Sequence, residues 1–147
     1  MFLELTSERS RAPFETLKVG DVMHPGVVTC PPDTSLPAVA ALMSMHGIHS
    51  VFVFDEESDH GGADAFVGIV SDLDLVAAAW AGFDSRTAAQ SAVTPIITVT
   101  AEDPLQYAAE LMVENSLSHL CVVHPRTATP MGVISTIDIA RVVAAPA

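Results

Sequence analysis

With 147 residues, half of them hydrophobic and only 16% charged, the chain has the makings of one compact domain or of two small units sharing a core, and it is not a disordered polyelectrolyte. Eighteen acidic residues against six basic ones give a formal net charge of −12. A field of that sign repels nucleic acid and anionic membrane, so neither is expected as a partner. The opening residues Met1-Phe2-Leu3-Glu4-Leu5-Thr6-Ser7-Glu8-Arg9 lack the basic segment and apolar stretch of a signal peptide. No apolar run approaches the roughly 18 residues of a membrane span. A cytoplasmic protein is therefore expected.

In chain order, the first element is a short apolar strand from Gly26 to Cys30. Thr34 is placed to cap a helix whose apolar residues Leu36, Val39, Ala40 and Met43 recur at helical spacing and whose run stops near Gly47. A buried strand, Val51 to Phe54, leads into an acidic loop, Asp55 to Ala65, with Gly61-Gly62 as a turn signal. A strand from Phe66 to Val70 and a helix from Ser71 to about Ala81 complete the first half. The order then recurs: strand Ile96 to Thr100, a helix opened by Asp103 with Pro104 at its first position and carrying Leu105, Ala108, Ala109 and Met112, a stop near Ser116, strands Leu120 to Val123 and Met131 to Ile134, and a helix from Ser135 to about Val143.

The recurrence is an internal repeat. From Val28 the halves match at an offset of 69 residues, pairing Leu36 with Leu105, Met43 with Met112, Ile48 with Leu117 and Phe54 with Val123. After the acidic loop the offset is 64, and Gly68-Ile69-Val70-Ser71-Asp72-Leu73-Asp74 lies on Gly132-Val133-Ile134-Ser135-Thr136-Ile137-Asp138. Each half is a βαββα unit, which predicts an α/β fold of two such repeats. A unit of about 60 residues is marginal alone, and two can bury each other's open faces.

The duplicated Ser-x-x-Asp places a hydroxyl and a carboxylate at a strand-to-helix junction. Two readings fit. In one, serine caps the helix and aspartate answers from the third position as a capping box. In the other, the carboxylate accepts both donors of a vicinal diol while the serine, beside unpaired helix N–H groups, meets an anionic oxygen. The glycine three residues before each serine allows a ligand or another backbone to approach closely. His49 and His119 precede the buried strands; His46 stands three residues before His49, but Gly47 breaks the helix between them and no Cys or acidic residue completes a ligand set, so no metal is expected. Cys30 and Cys121 lack CxxC spacing and read as reduced, buried thiols. No P-loop, Gly-x-Ser-x-Gly or Gly-x-Gly-x-x-Gly occurs, and no catalytic role is expected.

Taken together, Val19-Gly20-Asp21-Val22-Met23 with Pro25, the strand with Thr29, the segment Ile48-His49-Ser50-Val51-Phe52-Val53 and the twofold Gly-h-h-Ser-x-x-Asp, where h is apolar, resemble the CBS motif, and the tandem resembles a paired-CBS (Bateman) module over about residues 15–144. The resemblance implies an N-terminal extension at 1–14, a first motif at 15–82 and a second at 83–145, related by a pseudo-two-fold axis and packed sheet to sheet. It also implies a regulatory, adenosine-type ligand (AMP, ADP, ATP or S-adenosylmethionine) rather than a cofactor, bound in clefts between the motifs. By the same resemblance Asp74 and Asp138 take the ribose hydroxyls. Ser71, Ser135, His49 and His119 approach phosphate or ribose, and Val27, Val28, Thr29, Ile48, Ser50, Val51, Ile96, Ile97, Thr98, Ser118 and Leu120 line the adenine. The output is expected in trans, to an effector protein. Surplus apolar residues on the helix after Ser71 (Leu73, Leu75, Val76, Ala79, Trp80) predict a homodimer. The weak local cation content favours adenosine, AMP or S-adenosylmethionine over ATP. The competing expectation is a structural dimer whose sites hold no nucleotide.

Overall fold

The computed structural model describes residues 14–57, 65–80, 82–92 and 96–144. The expected N-terminal extension, save Phe14, and the Gly61-Gly62 turn lie outside them. The mixed α/β architecture expected from the repeat is present, as two compact units. One contains Val27–Ile96; the other joins the chain up to Gly26 to the chain from Ile97 onward.

In the unit built on the first repeat, a three-stranded sheet has the order β2–β3–β4. Strand β2 (Thr29–Cys30) runs parallel to β3 (Ser50–Phe54), and β4 (Phe66–Ser71) runs antiparallel to it. Helix α2 (Leu36–His46) connects β2 to β3, and α3 (Asp72–Ala78) follows β4 directly. The core joins Leu36, Val39 and Met43 of α2 to Val51 and Val53 of β3, Val70 of β4 and Ala78 of α3. The unit built on the second repeat reproduces this arrangement with β5 (Thr98–Val99), α5 (Leu105–Asn115), β6 (His119–Val123), β7 (Pro130–Ser135) and α6 (Thr136–Ala144), around Val99, Leu105, Ala108, Met112, Leu120, Val122 and Ile134. Its sheet gains a fourth strand, β1 (His24–Pro25), antiparallel to β7.

That extra strand belongs to an exchange that the repeat boundaries in the sequence do not convey. The segment leading into the first repeat packs on the second: Val19 in the short helix α1 (Val19–Val22) is fully buried in the second core. Its N–H groups bond to the other half, Val19 to Asp103 C=O and Gly20 to Ala101 C=O, both at 2.9 Å. The segment leading into the second repeat does the same to the first. Ala88 in α4 (Ala88–Ser91) is buried in the first core, and Ala88 and Ala89 donate to Thr34 C=O at 2.7 Å and Pro32 C=O at 3.0 Å. The Asp21 carboxylate accepts Lys18 N–H at 2.9 Å at the start of α1, and α4 carries a capping box, Thr87 with Gln90. The compact units therefore break at Gly26 and Ile97, whereas the sequence repeats divide near residue 82.

Two helix starts differ from expectation by one residue. Ser35, not Thr34, caps α2, accepting Ala38 N–H at 3.3 Å. Thr34 lends its carbonyl to the incoming α4 instead. Helix α5 begins at Leu105, after Pro104, while the Asp103 carboxylate accepts Thr100 N–H at 2.8 Å and so closes the preceding turn. The stops are where the sequence puts them: Gly47 (φ 61°) and Ser116 (φ 54°) take left-handed conformations after α2 and α5.

Candidate functional site: the strand-to-helix junctions

In each unit the last strand runs into the helix that follows it with no intervening loop, and the Ser-x-x-Asp motif sits at that corner. Ser71 N–H donates to Asp74 Oδ2 at 2.8 Å and Ser71 Oγ–H donates to the same oxygen at 2.9 Å, while Ser71 Oγ accepts Asp74 N–H at 3.3 Å. Ser135 donates to Asp138 Oδ2 in the same way, from N–H and Oγ–H, each at 2.9 Å. The capping box is complete with aspartate at Ser71–Asp74, and at both corners one carboxylate oxygen answers the serine while the other remains for a second partner.

The two second oxygens have different surroundings. No described residue bonds Asp74 Oδ1, and Asp74 is half-buried. Asp138 is 3% exposed. Its Oδ1 lies 2.6 Å from His24 Nε2 and 3.5 Å from Arg141 Nη1. His24 arrives on β1, whose backbone crosses Gly132 so closely that a Cβ there would stand 2.6 Å from His24 C=O. The glycine of this motif therefore serves the approach of another backbone, one of the two uses the sequence allows.

Strand register gathers the remaining candidates at the same corners. Ser50 pairs with Ser71 across β3 and β4, and His119 pairs with Ser135 across β6 and β7. His49 Nδ1 lies 3.0 Å from Asp72 Oδ2, and Ser118 Oγ lies 2.9 Å from His119 Nδ1. The first N–H groups of α3, expected to be open to an anion, are taken. Asp72 N–H donates to His49 C=O, Leu73 N–H to the Asp72 carboxylate (both 2.9 Å), and Asp74 N–H to Ser71 Oγ.

Of the expected adenine-lining residues, Val51 and Leu120 are fully buried core side chains, and Val28, Ile48 and Ile97 pack against the cores. Val27, Thr29 and Ile96 are half-buried, while Thr98 and Ser118 are exposed. Sequence reasoning missed two residues, Arg141 and His24. The first was legible as a cation one helical turn after Asp138. The second was not, because only the segment exchange brings it there. Both cysteines are buried, and burial raises both thiol pKa values, that of Cys121 to about 12. Among the described residues no three His, Cys, Asp or Glu side chains gather as a metal site, and no helix is long and apolar enough to cross a membrane.

A fold of two βαββα repeats with a Ser-x-x-Asp corner in each defines a paired-motif protein, and comparison with known proteins says which. The CBS domain family matches residues 19–81 and 91–145, and the chain belongs to that family. No curated protein sequence matches it significantly. Among solved structures, it is similar to the CBS domain pair of protein MJ0100 in complex with 5′-methylthioadenosine and S-adenosyl-L-methionine (TM-score 0.73, 23% identity, 84% of this chain and 93% of that one). It is also similar to Hypoxic Response Protein I with two coordinated zinc ions (0.68, 23%, 88% and 99%). A third likeness is to the CBS domain of a bacterial CNNM/CorC family Mg²⁺ transporter (0.76, 20%, 97% and 86%).

Proposed function

We propose that the chain is a regulatory ligand-sensing module without catalysis of its own. In this reading it binds an adenosine-containing small molecule at the Ser-x-x-Asp corners and signals in trans to a partner protein. The observation that carries the reading is Asp74: Ser71 fixes the carboxylate through Oδ2, and Oδ1 has no partner among the described residues, at a corner that Ser50 and His49 also reach. An oriented acceptor suits a ribose diol. A CBS pair of the same fold crystallised with two adenosine derivatives supports this choice of ligand class. The ligand carries little negative charge in this proposal, because the N–H groups at the start of α3 are already bonded and Asp72 adds a carboxylate there. Adenosine, AMP or S-adenosylmethionine then fits better than ATP. Isothermal calorimetry with these four compounds tests it. Binding that Asp74→Asn weakens by about tenfold or more supports the ribose role, the loss of a charge-assisted bond being worth about 1.5–3 kcal/mol. Unchanged affinity in that variant refutes it.

A second reading, a structural dimer, has its own observation. Leu73, Val76 and Trp80 form an exposed apolar stripe along and just past α3, with Trp80 91% exposed. A stripe of this kind is suited to a second copy of the chain. The two readings are compatible, and a nucleotide effect on stability separates a sensing dimer from a purely structural one.

A further inference from the structure

The two Ser-x-x-Asp corners are unequal, and the inequality is written in residues outside the motif. Around Asp138 stand His24 and Arg141. The positions that correspond to them in the repeat are Val93 and Ala77, neither of which carries an ionisable or hydrogen-bonding side chain. Asp74 consequently keeps one carboxylate oxygen without a protein partner among the described residues. The same oxygen of Asp138 lies 2.6 Å from an imidazole nitrogen, and only 2% of that side chain is exposed. The imidazole itself is 62% exposed and hangs from a two-residue edge strand. It is therefore positioned to leave without disturbing a core.

We infer that His24 is a specificity-determining residue that holds the Asp138 corner closed, so that the chain has one open ligand site, at Asp74, and one latent site that a ligand fills only by displacing His24. This rests on the ribose role proposed for the aspartates. A ribose diol needs the acceptor that His24 lies against at 2.6 Å, and binding there must first displace the imidazole from that close polar contact. At the Asp74 corner no such exchange is required. His24 reaches the corner because the lead-in segment of one repeat is exchanged onto the other, and Gly132 lets its backbone in. The closing group therefore comes from the far end of the sequence and leaves the site motif unchanged.

Calorimetric titration of the full chain with AMP, and separately with S-adenosylmethionine, tests this. Wild type is expected to bind one ligand per chain, with affinity lowered at least tenfold by Asp74→Asn. His24→Ala is expected to bind two, the added one at least tenfold tighter than any second event in wild type and weakened at least tenfold by Asp138→Asn. His24→Gln, which keeps an amide donor in reach of Asp138, is expected to stay at one and serves as the folded control. Two equal sites in wild type, one site in His24→Ala, or two in His24→Gln would each overturn the role of His24 while leaving ligand sensing intact. No binding by any of the proteins would overturn the sensing proposal, and this inference with it.

Discussion

Asp74 and Asp138 have the same partner in the serine three residues before them and different neighbours beyond it, so their removal separates two effects. Asp138→Asn forces an amide against donors on both sides in a buried position and is expected to cost about 2 kcal/mol or more in urea unfolding. Asp74→Asn, with only its cap to weaken, is expected to cost about 1 kcal/mol or less. Equal losses would mean that the His24 contact contributes nothing to the fold. The cysteines make a second residue-scale prediction. Burial pushes the Cys121 thiol pKa up to about 12 and raises that of Cys30 as well. Neither should react with an aromatic disulfide reagent at pH 8 until denaturant is added, whereupon both should. A thiol whose folded pKa exceeds its unfolded one contributes stability fully below the unfolded value, near 9. That contribution is lost as pH climbs from there to about 12. Unfolding free energy should fall over that alkaline window, and less so in Cys121→Ala. The motif residues were legible in the sequence because a duplicated Ser-x-x-Asp is local. His24 was not, because its partner lies in another element and is reached through tertiary structure.

The elements themselves were largely readable from period and punctuation. Helices α2 and α5 follow the apolar spacing of Leu36, Val39 and Met43 and of Leu105, Ala108 and Met112, and all six side chains are buried. The short strands β2 and β5 were overestimated. Apolar runs from Gly26 and Ile96 suggested five residues each, but only Thr29–Cys30 and Thr98–Val99 find a ladder partner. Hydrophobicity reports burial, not pairing. Helix ends supply a sharper test. Ser116 takes a left-handed conformation that costs an L-residue about 1 kcal/mol, whereas Gly47 takes it freely at the corresponding place. Ser116→Gly should therefore raise stability by about 0.5–1 kcal/mol and Gly47→Ala should lower it by a similar amount, measured by thermal or urea unfolding. If Ser116→Gly destabilises, the serine side chain has a role that the backbone argument omits.

For the whole molecule, the repeat predicts two like units, and the cores confirm them. The exchange of lead-in segments is invisible to repeat alignment because α1 and α4 align with each other whichever unit they join. It has a physical consequence: neither repeat completes its core from its own contiguous sequence, since Val19 fills the second core and Ala88 the first. A chain shortened to begin at Val27 should therefore lose stability in the unit that contains Leu105 and Met112, rather than in the unit adjacent to the cut. Hydrogen exchange resolved by segment would show which. The exposed stripe of Leu73, Val76 and Trp80 predicts a dimeric mass by light scattering at micromolar concentration, and Trp80→Glu should shift it toward monomer. Ligand sensing itself is tested most directly by thermal unfolding in the presence of adenosine, AMP, ADP, ATP and S-adenosylmethionine. A ligand at about 100 times its Kd stabilises the folded state by about 2.7 kcal/mol, which for a chain of this size raises Tm by about 5–10 °C. Such a rise is expected with at least one weakly charged adenosine compound and is expected to vanish in Asp74→Asn; an unchanged Tm across the whole series at millimolar concentration would contradict a sensing role.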